Sequence, residues 1–308
     1  MSNFEQRVEI QIDESTLCFL RYLIRNGGPE HQDYENFINI VNNLHPSIID
    51  EFREIIKESL NTNTLIGHGY VKPFGYPGDF TIIDRIYQYH INQDIRYRNW
   101  DRFFQNQPAA VAVRNRKDYF IKQCEELITQ KNNRIRVLIL GSGPATDVNE
   151  FLNAYPNCNI TFDLVDFDQN AIDYARKKNE GFNGKIEYNR INVLRFKPYK
   201  IYDLIWSSGL FDYFRDKHFI YLIRKYIDFI TPEGEFIIGN FSDINPTRKL
   251  MEVLSDWHLN HRSEDDLKRI ARDAGIDESI IKIENEPLGI NLFLRIRCKG
   301  RNGVDILN

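Results

Sequence analysis

The tightest constraint on this chain is the stretch Val137-Leu-Ile-Leu-Gly-Ser-Gly-Pro144. Four apolar residues run without a break into Gly141, Ser142 and Gly143, and a helix-compatible stretch, residues 145–155, follows. A short apolar run ahead of a glycine turn is the pattern of a buried parallel strand feeding a helix. Without a Cβ, the main chain turns tightly there, and a ligand can approach it at the strand's C-terminal end. About 25 residues on, Leu164-Val-Asp-Phe-Asp168 closes a second apolar run, residues 160–165, with an acid at its tip. That places the Asp166 carboxylate, with Phe167 beside it, where ribose hydroxyls can be held. A bare strand-turn-helix with no ligand is the alternative for the glycine turn by itself. Asp166 and the strands downstream argue against it.

A chain of 308 residues has room for one large domain or two smaller ones. Its 42% hydrophobic and 27% charged content is that of a soluble globular protein. The net charge of −4 and pI of about 6.0 argue against a nucleic-acid groove, which needs a basic face. No apolar stretch approaches the ~20 residues of a membrane span, and the first residues lack a signal-peptide pattern. Cys18, Cys124, Cys158 and Cys298 are scattered, without metal-ligand spacing. No metal site is therefore expected, and reduced thiols in the cytoplasm are.

The first 131 residues read as a helical domain. Leu17, Leu20, Leu23 and Ile24 recur at helical spacing until Asn26-Gly-Gly-Pro29, and Phe37, Ile40, Val41 and Leu44 form a second face. Residues 61–80 carry four glycines and two prolines, which predicts an irregular segment with no regular helix. Its aromatic content makes it a candidate lid or site wall through His68, Tyr70, Tyr76 and Asp79. Asp79 serves equally well as the cap of a helix beginning at Phe80. A long amphipathic helix is expected over 109–129. Arg114, Arg116 and Lys117 on its early turns read as a solvated basic face, with Arg114 near a carboxylate-bearing ligand as the sharper idea. Lys131-Asn-Asn133 is the expected hinge into a second domain, 132–308.

Beyond Asp166 the pattern predicts a helix over 168–178, a strand over 185–191 ending at Asn192-Val193, and a strand from Tyr202. The loop after that strand, with Ser207, Ser208, Asp212 and Tyr213, opens at the ligand edge of a parallel sheet. A helix over 218–230, a strand over 235–240 and a helix over 248–261 carrying Trp257 and His258, with Arg262 at its end, follow. Ser263 caps a further helix, and strands over 280–283 and 290–298 form a closing hairpin.

The glycine turn fits a pyrophosphate poorly, because Pro144 and Thr146 occupy the fourth and sixth places of G-x-G-x-x-G. Glycine turn and acid together resemble the class I S-adenosylmethionine (SAM)-dependent methyltransferases, over about residues 134–298. The sequence departs from that family at Ile139, where an acid often stands, and at Ala145, the third glycine of the loop. The resemblance implies a Rossmann-like seven-stranded α/β sheet behind an all-helical N-terminal domain. It also implies SAM as cofactor, contacted by Gly141, Ser142, Gly143, Asp166, Phe167 and Ser208, with Tyr76, Asp79 and Arg114 contributed from outside the sheet. Asn192 and Val193 fall where the family contacts adenine. Asn192 can donate and accept there, or simply bridge two loop backbones. Lys72-Pro-Phe-Gly-Tyr-Pro-Gly-Asp79, Pro108-Ala-Ala-Val-Ala-Val-Arg-Asn-Arg116, Ser208-Gly-Leu-Phe-Asp-Tyr-Phe214 and Leu250-Met-Glu-Val-Leu-Ser-Asp-Trp-His-Leu259 look like a bacterial subgroup. Its members are described as making methyl esters of 3-hydroxy fatty acids, a quorum-signal chemistry.

A carboxylate acceptor is ionised at neutral pH and needs orienting donors rather than a base. His68, Tyr70, Tyr213, His258 and Arg262 are the candidates, with Arg262 furthest out. A hydroxyl or amine acceptor wants a base, Asp212 or His258. The expectation is thus an O-methyltransferase of a small or lipidic acid. An N- or C-methyltransferase, or a SAM-binding sensor without turnover, is the alternative. A homodimer is compatible with the sequence, which does not fix the assembly.

Overall fold

The computed structural model describes residues 11–298. In chain order its helices are α1 (Glu14–Arg25), α2 (Tyr34–Asn43), α3 (Ile49–Ile55), α4 (Leu65–Val71), α5 (Phe80–Tyr87), α6 (Arg98–Gln105), α7 (Pro108–Gln130), α8 (Thr146–Ala154), α9 (Gln169–Lys178), α10 (Asp216–Tyr226), α11 (Arg248–Ser255) and α12 (Glu264–Asp273). Its strands are β1 (Ile135–Leu140), β2 (Ile160–Asp166), β3 (Ile186–Arg190), β4 (Tyr202–Ser207), β5 (Ile230–Phe241), β6 (Ile281–Asn285) and β7 (Asn291–Arg297). Contacts divide the described residues into two units. One comprises 11–82, 89–107 and 246–258, and the other 83–88, 108–245 and 259–298. Whereas the sequence suggests one boundary near residue 131, each unit is assembled from several segments.

The first unit is helical. Asp13 caps α1 by accepting from the Thr16 N–H at 2.9 Å. Leu20 and Leu23 of α1, Phe37 and Val41 of α2, and Phe52 of α3 are fully buried with Trp100 and Phe103 of α6 and with Leu250, Val253 and Leu254 of α11. Two expectations are corrected here. The glycine-rich stretch does contain a regular helix, α4, started by Thr64, whose Oγ1 accepts from the Gly67 N–H at 2.9 Å, and by Asp101, which accepts from the Leu65 N–H at 2.7 Å. Its glycines serve close packing rather than turning: a Cβ on Gly67 would collide with the Asn61 backbone, and one on Gly69 would lie 2.8 Å from Ser255 Cβ. The helix expected over 248–261 stops at Ser255, because Asp256 takes a left-handed conformation (φ 46°) and the Trp257 N–H folds back onto Met251 O. Trp257 and His258 therefore lie beyond the helix.

The second unit is a seven-stranded sheet of order β3-β2-β1-β4-β5-β7-β6. β1 to β5 run parallel, and β7 lies antiparallel between β5 and β6. Along β1 the side chains alternate faces. Val137 and Ile139 pack with Phe120 and Cys124 of α7 and Val148 and Phe151 of α8, while Leu138 and Leu140 pack with Phe219 and Ile223 of α10 and Leu267 and Ile270 of α12. Both faces are thus covered, as a continuous apolar strand requires. α10 is shorter than its apolar pattern, because Ile227–Phe229 tightens into a 3₁₀ turn and Ile230 already belongs to β5. Strand order reverses direction at β1, between β2 and β4, and a crevice at the carboxyl ends of such strands is where ligands bind in this architecture.

Candidate active site

At that crevice the turn after β1 is shaped by Gly141 (φ 71°) and Gly143 (φ 53°). The Gly141 and Ser142 N–H groups donate to Val165 O at 2.8 and 3.1 Å, which ties the turn to the end of β2. Asp166 Oδ2 accepts from the Gly143 N–H at 2.9 Å and Oδ1 from the Asp168 N–H at 3.1 Å. Burial raises the Asp166 pKa despite these bonds. Ala145, where the family has its third glycine, takes φ 50°, and the Thr146 hydroxyl donates to buried Asp84, which also accepts from Tyr174 and from Lys178 Nζ at 2.5 Å. A side chain thus anchors the turn where the dinucleotide pattern has glycine.

The turn leaves room and unmet hydrogen bonds for a ligand. A Cβ on Gly143 would meet nothing within 4 Å. The buried hydroxyls of Ser142 and, after β4, Ser208 have no partner among the described residues. Phe167 is 56% exposed at the tip of β2. Asn192 is exposed after β3: its Oδ1 accepts from the Leu194 N–H at 2.8 Å, and its Nδ2 has no protein partner among the described residues. Val193 packs instead into the core.

After β4, Ser207 Oγ donates to Leu140 O at 2.7 Å, and Asp212 Oδ1 accepts from the Phe241 N–H at 2.6 Å. Asp212 Oδ2 is buried without a hydrogen-bond partner among the described residues. Burial pushes the Asp212 pKa up to about 6, against the Phe241 bond and the charge of Arg116. Tyr213 is partly exposed at 38%. Arg262, expected to orient an acceptor, is instead a structural clamp. Its guanidinium donates to Asn240 Oδ1 at 2.8 Å and Phe214 O at 2.6 Å and pairs with Asp216 at 3.0 Å, so its donors are consumed by the loops they tie together.

The basic face of α7 is not solvated as expected. Lys117 pairs with Glu150 at 2.6 Å, and Arg116 is 3% exposed. The Arg116 guanidinium lies against Gly209, where an added Cβ would sit 2.9 Å from Nη2. The sequence reads Arg116 as part of that solvated face and singles out Arg114 instead, which is half-buried on the same helix. The signal was its position: Val113, Arg116, Phe120 and Cys124 follow one another at three- and four-residue steps, so Arg116 occupies the buried stripe. Asp147, on the first turn of α8, was also missed. Burial raises it to about 6, with Arg116 opposing.

The remaining candidates belong to the helical unit. His68 Nε2 lies 2.7 Å from Asp79 Oδ2 and 2.9 Å from Thr81 Oγ1, all on buried or half-buried side chains. Asp79 Oδ1 accepts from the Thr81 and Ile82 N–H groups at 2.8 and 3.0 Å, so Asp79 caps α5. Although burial opposes it, the hydrogen bonds from His68 and Thr81 hold the Asp79 pKa below the usual carboxylate range. Tyr70 is partly exposed, with the Arg53 guanidinium 5.2 Å from its ring centre. Tyr76 is half-buried, and His258 is an exposed partner of Asp256 at 3.0 Å. Among the described residues no group of three His, Cys, Asp or Glu side chains is placed to hold a metal, and no helix is long and apolar enough to cross a membrane.

Residues 137–234, which carry the glycine turn, Asp166, Asn192 and the β4 loop, match the family described as a methyltransferase domain. The chain carries a class I SAM-dependent methyltransferase domain. SAM is the cofactor of that domain. Similar curated proteins are a malonyl-[acyl-carrier protein] O-methyltransferase of Ilyobacter polytropus, 25% identical over 163 residues, and an alpha N-terminal protein methyltransferase of Dictyostelium discoideum, 28% identical over 136 residues. These cover 50% and 44% of this chain, which spans 57% and 48% of the relatives, about half the length of each. The fold is similar to a Bordetella parapertussis protein described as a possible exported protein, with TM-score 0.63 and 16% identity over 94% of this chain and 100% of that one. It is also similar to the SAM-dependent methyltransferase SibL, with TM-score 0.51 and 15% identity over 87% of this chain and 76% of that one.

Proposed function

We propose that this protein is an O-methyltransferase that transfers the SAM methyl to the carboxylate of a small or lipidic acid, of the 3-hydroxy fatty acid type. In this reading the main chain of Gly141–Gly143 runs beneath the cofactor, Asp166 holds the ribose hydroxyls and Asn192 reads the adenine edge. Bound there, SAM supplies an electrophilic methyl on a sulfonium. The observation that carries the acceptor class is the pair of unpartnered buried hydroxyls, Ser142 and Ser208, at the carboxyl edge. They are hydrogen-bond donors without basicity, which orient an ionised oxygen without competing for a proton. The Ilyobacter relative, named as an O-methyltransferase of a malonyl carrier protein, supports the same acceptor class.

A second reading is favoured by Asp212. An unpartnered carboxylate oxygen with a pKa of about 6 is a general base for an acceptor that must lose a proton, a hydroxyl or an amine. Methyl-labelled SAM, a panel of 3-hydroxy acids and mild alkali separate the two. Label released as methanol, with Asp212→Asn retaining turnover within about threefold, is the expected result. Alkali-stable label, with turnover reduced about 100-fold or more in Asp212→Asn, transfers the conclusion to the base-assisted reaction. SAM bound and left intact with every acceptor would leave a binding protein without turnover.

A further inference from the structure

Arg116 is a buried guanidinium with no carboxylate at ion-pair distance among the described residues. It is 3% exposed, and its Nε has no hydrogen-bond partner among them. Its protein partner is a neutral phenol, Tyr87 of α5. Asp147 and Asp212 feel its charge but spend an oxygen each on the Val148 and Phe241 N–H groups. A buried guanidinium with an unmet N–H and no direct ion pair is costly, and such groups in native proteins are paired or bind a ligand. The planar fork of a guanidinium matches a carboxylate.

The position of Arg116 says which carboxylate. Sheet order places β1 between β2 and β4. Asp166 ends β2, the glycine turn follows β1, and the Arg116 guanidinium lies against Gly209 just after β4. In the cofactor reading above, a nucleoside whose ribose sits on Asp166 and whose base sits on Asn192 after β3 has its 5′ substituent on the opposite side, toward the glycine turn and β4. Gly209 (φ 83°) lets the guanidinium pack against the main chain at that end. We propose that Arg116 binds the α-carboxylate of the cofactor's amino-acid end and is a principal source of selectivity for SAM and its demethylated product over nucleosides that lack the amino acid. This rests on the cofactor reading above.

The test is calorimetric and needs no turnover. S-adenosylhomocysteine carries the carboxylate, and 5′-methylthioadenosine lacks the amino-acid end. For the intact protein the first binds more tightly than the second. Arg116→Met is expected to weaken S-adenosylhomocysteine by about 30-fold or more while changing 5′-methylthioadenosine less than about threefold. Arg116→Lys, which keeps the charge but not the fork, is expected to fall between the two, and it supplies the measurement if the methionine variant does not fold. Equal losses for both ligands would make Arg116 a structural residue and overturn the proposal. Unchanged S-adenosylhomocysteine affinity with loss of transfer to carboxylic acids would also overturn it, reassigning the guanidinium to the acceptor's carboxylate. If the intact protein binds neither ligand, the cofactor reading fails rather than the role of Arg116. Asp166→Ala, which weakens both ligands alike, marks the ribose end independently.

Discussion

At the scale of single residues, the carboxyl edge of the sheet sets binding chemistry against stability. Asp212 and Asp147 are buried, and burial raises each to about 6 from an ordinary value of 3.8. In the unfolded chain both ionise near that ordinary value, so between pH 4 and 6 the folded protein binds more protons than the unfolded one. Their stabilising contribution is therefore complete below about pH 4 and is lost as pH rises through 6. A rise from 3.8 to about 6 corresponds to about 3 kcal/mol for a fully buried group. Asp212→Asn keeps an oxygen for the Phe241 N–H and removes the charge. It is expected to raise the stability of the ligand-free protein at pH 8 by about 2–3 kcal/mol, with the gain shrinking toward zero by pH 4. Urea unfolding at pH 4, 6 and 8 reads this directly. A gain that does not vary with pH would show that the charge of Asp212 is not what strains the site.

At the scale of elements, what was legible and what was not follow from physical cause. Periodicity exposed α7 and the strands β1 to β5, because burying one face or both leaves a pattern in sequence. The glycine turn after β1 and the place of Asp166 at the end of β2 were legible because both follow from local sequence. The helix α4 was not, since its glycines answer to Asn61 and Ser255, neighbours that a sequence does not display. Arg116 was hidden for a related reason: a charge on an apolar stripe reads as solvated until packing shows otherwise. Arg262 looked like a ligand contact because its partners, the Phe214 carbonyl and the Asn240 side chain, come together only in the fold. The packing role of the α4 glycines can be tested. Gly67→Ala places a methyl into the Asn61 backbone and is expected to cost more than about 3 kcal/mol. Gly181→Ala, where a Cβ meets nothing within 4 Å, is expected to stay within about 0.5 kcal/mol. Similar melting temperatures for the two variants would mean that α4 shifts away from Asn61 at little cost.

At the scale of the molecule, neither unit is a continuous piece of chain, and this bears on how the methyltransferase domain holds its shape. A cut at residue 131 follows the change in sequence character, yet it removes α7 from the sheet. Phe120 and Cys124 of α7 are fully buried against Phe162 and Trp206, and Tyr119 stacks on Phe293 with ring centres 3.9 Å apart. Each large side chain so buried is worth about 1.5–3 kcal/mol, and several together rival the whole stability of a domain. Beginning the chain at residue 108 restores α7 but still omits Asp84, which is buried with Thr146, Tyr174 and Lys178 and anchors the first turn of α8. The expected order of outcomes is therefore graded. A chain of 132–308 lacks a cooperative unfolding transition and binds the dye ANS. A chain of 108–308 folds but binds S-adenosylhomocysteine more weakly than the full chain, because the glycine turn has lost its anchor. A chain of 83–308 recovers part of that affinity. Cooperative unfolding of 132–308 would show that the sheet with α8 to α12 is sufficient by itself, and that the one boundary visible in the sequence is also the physical one.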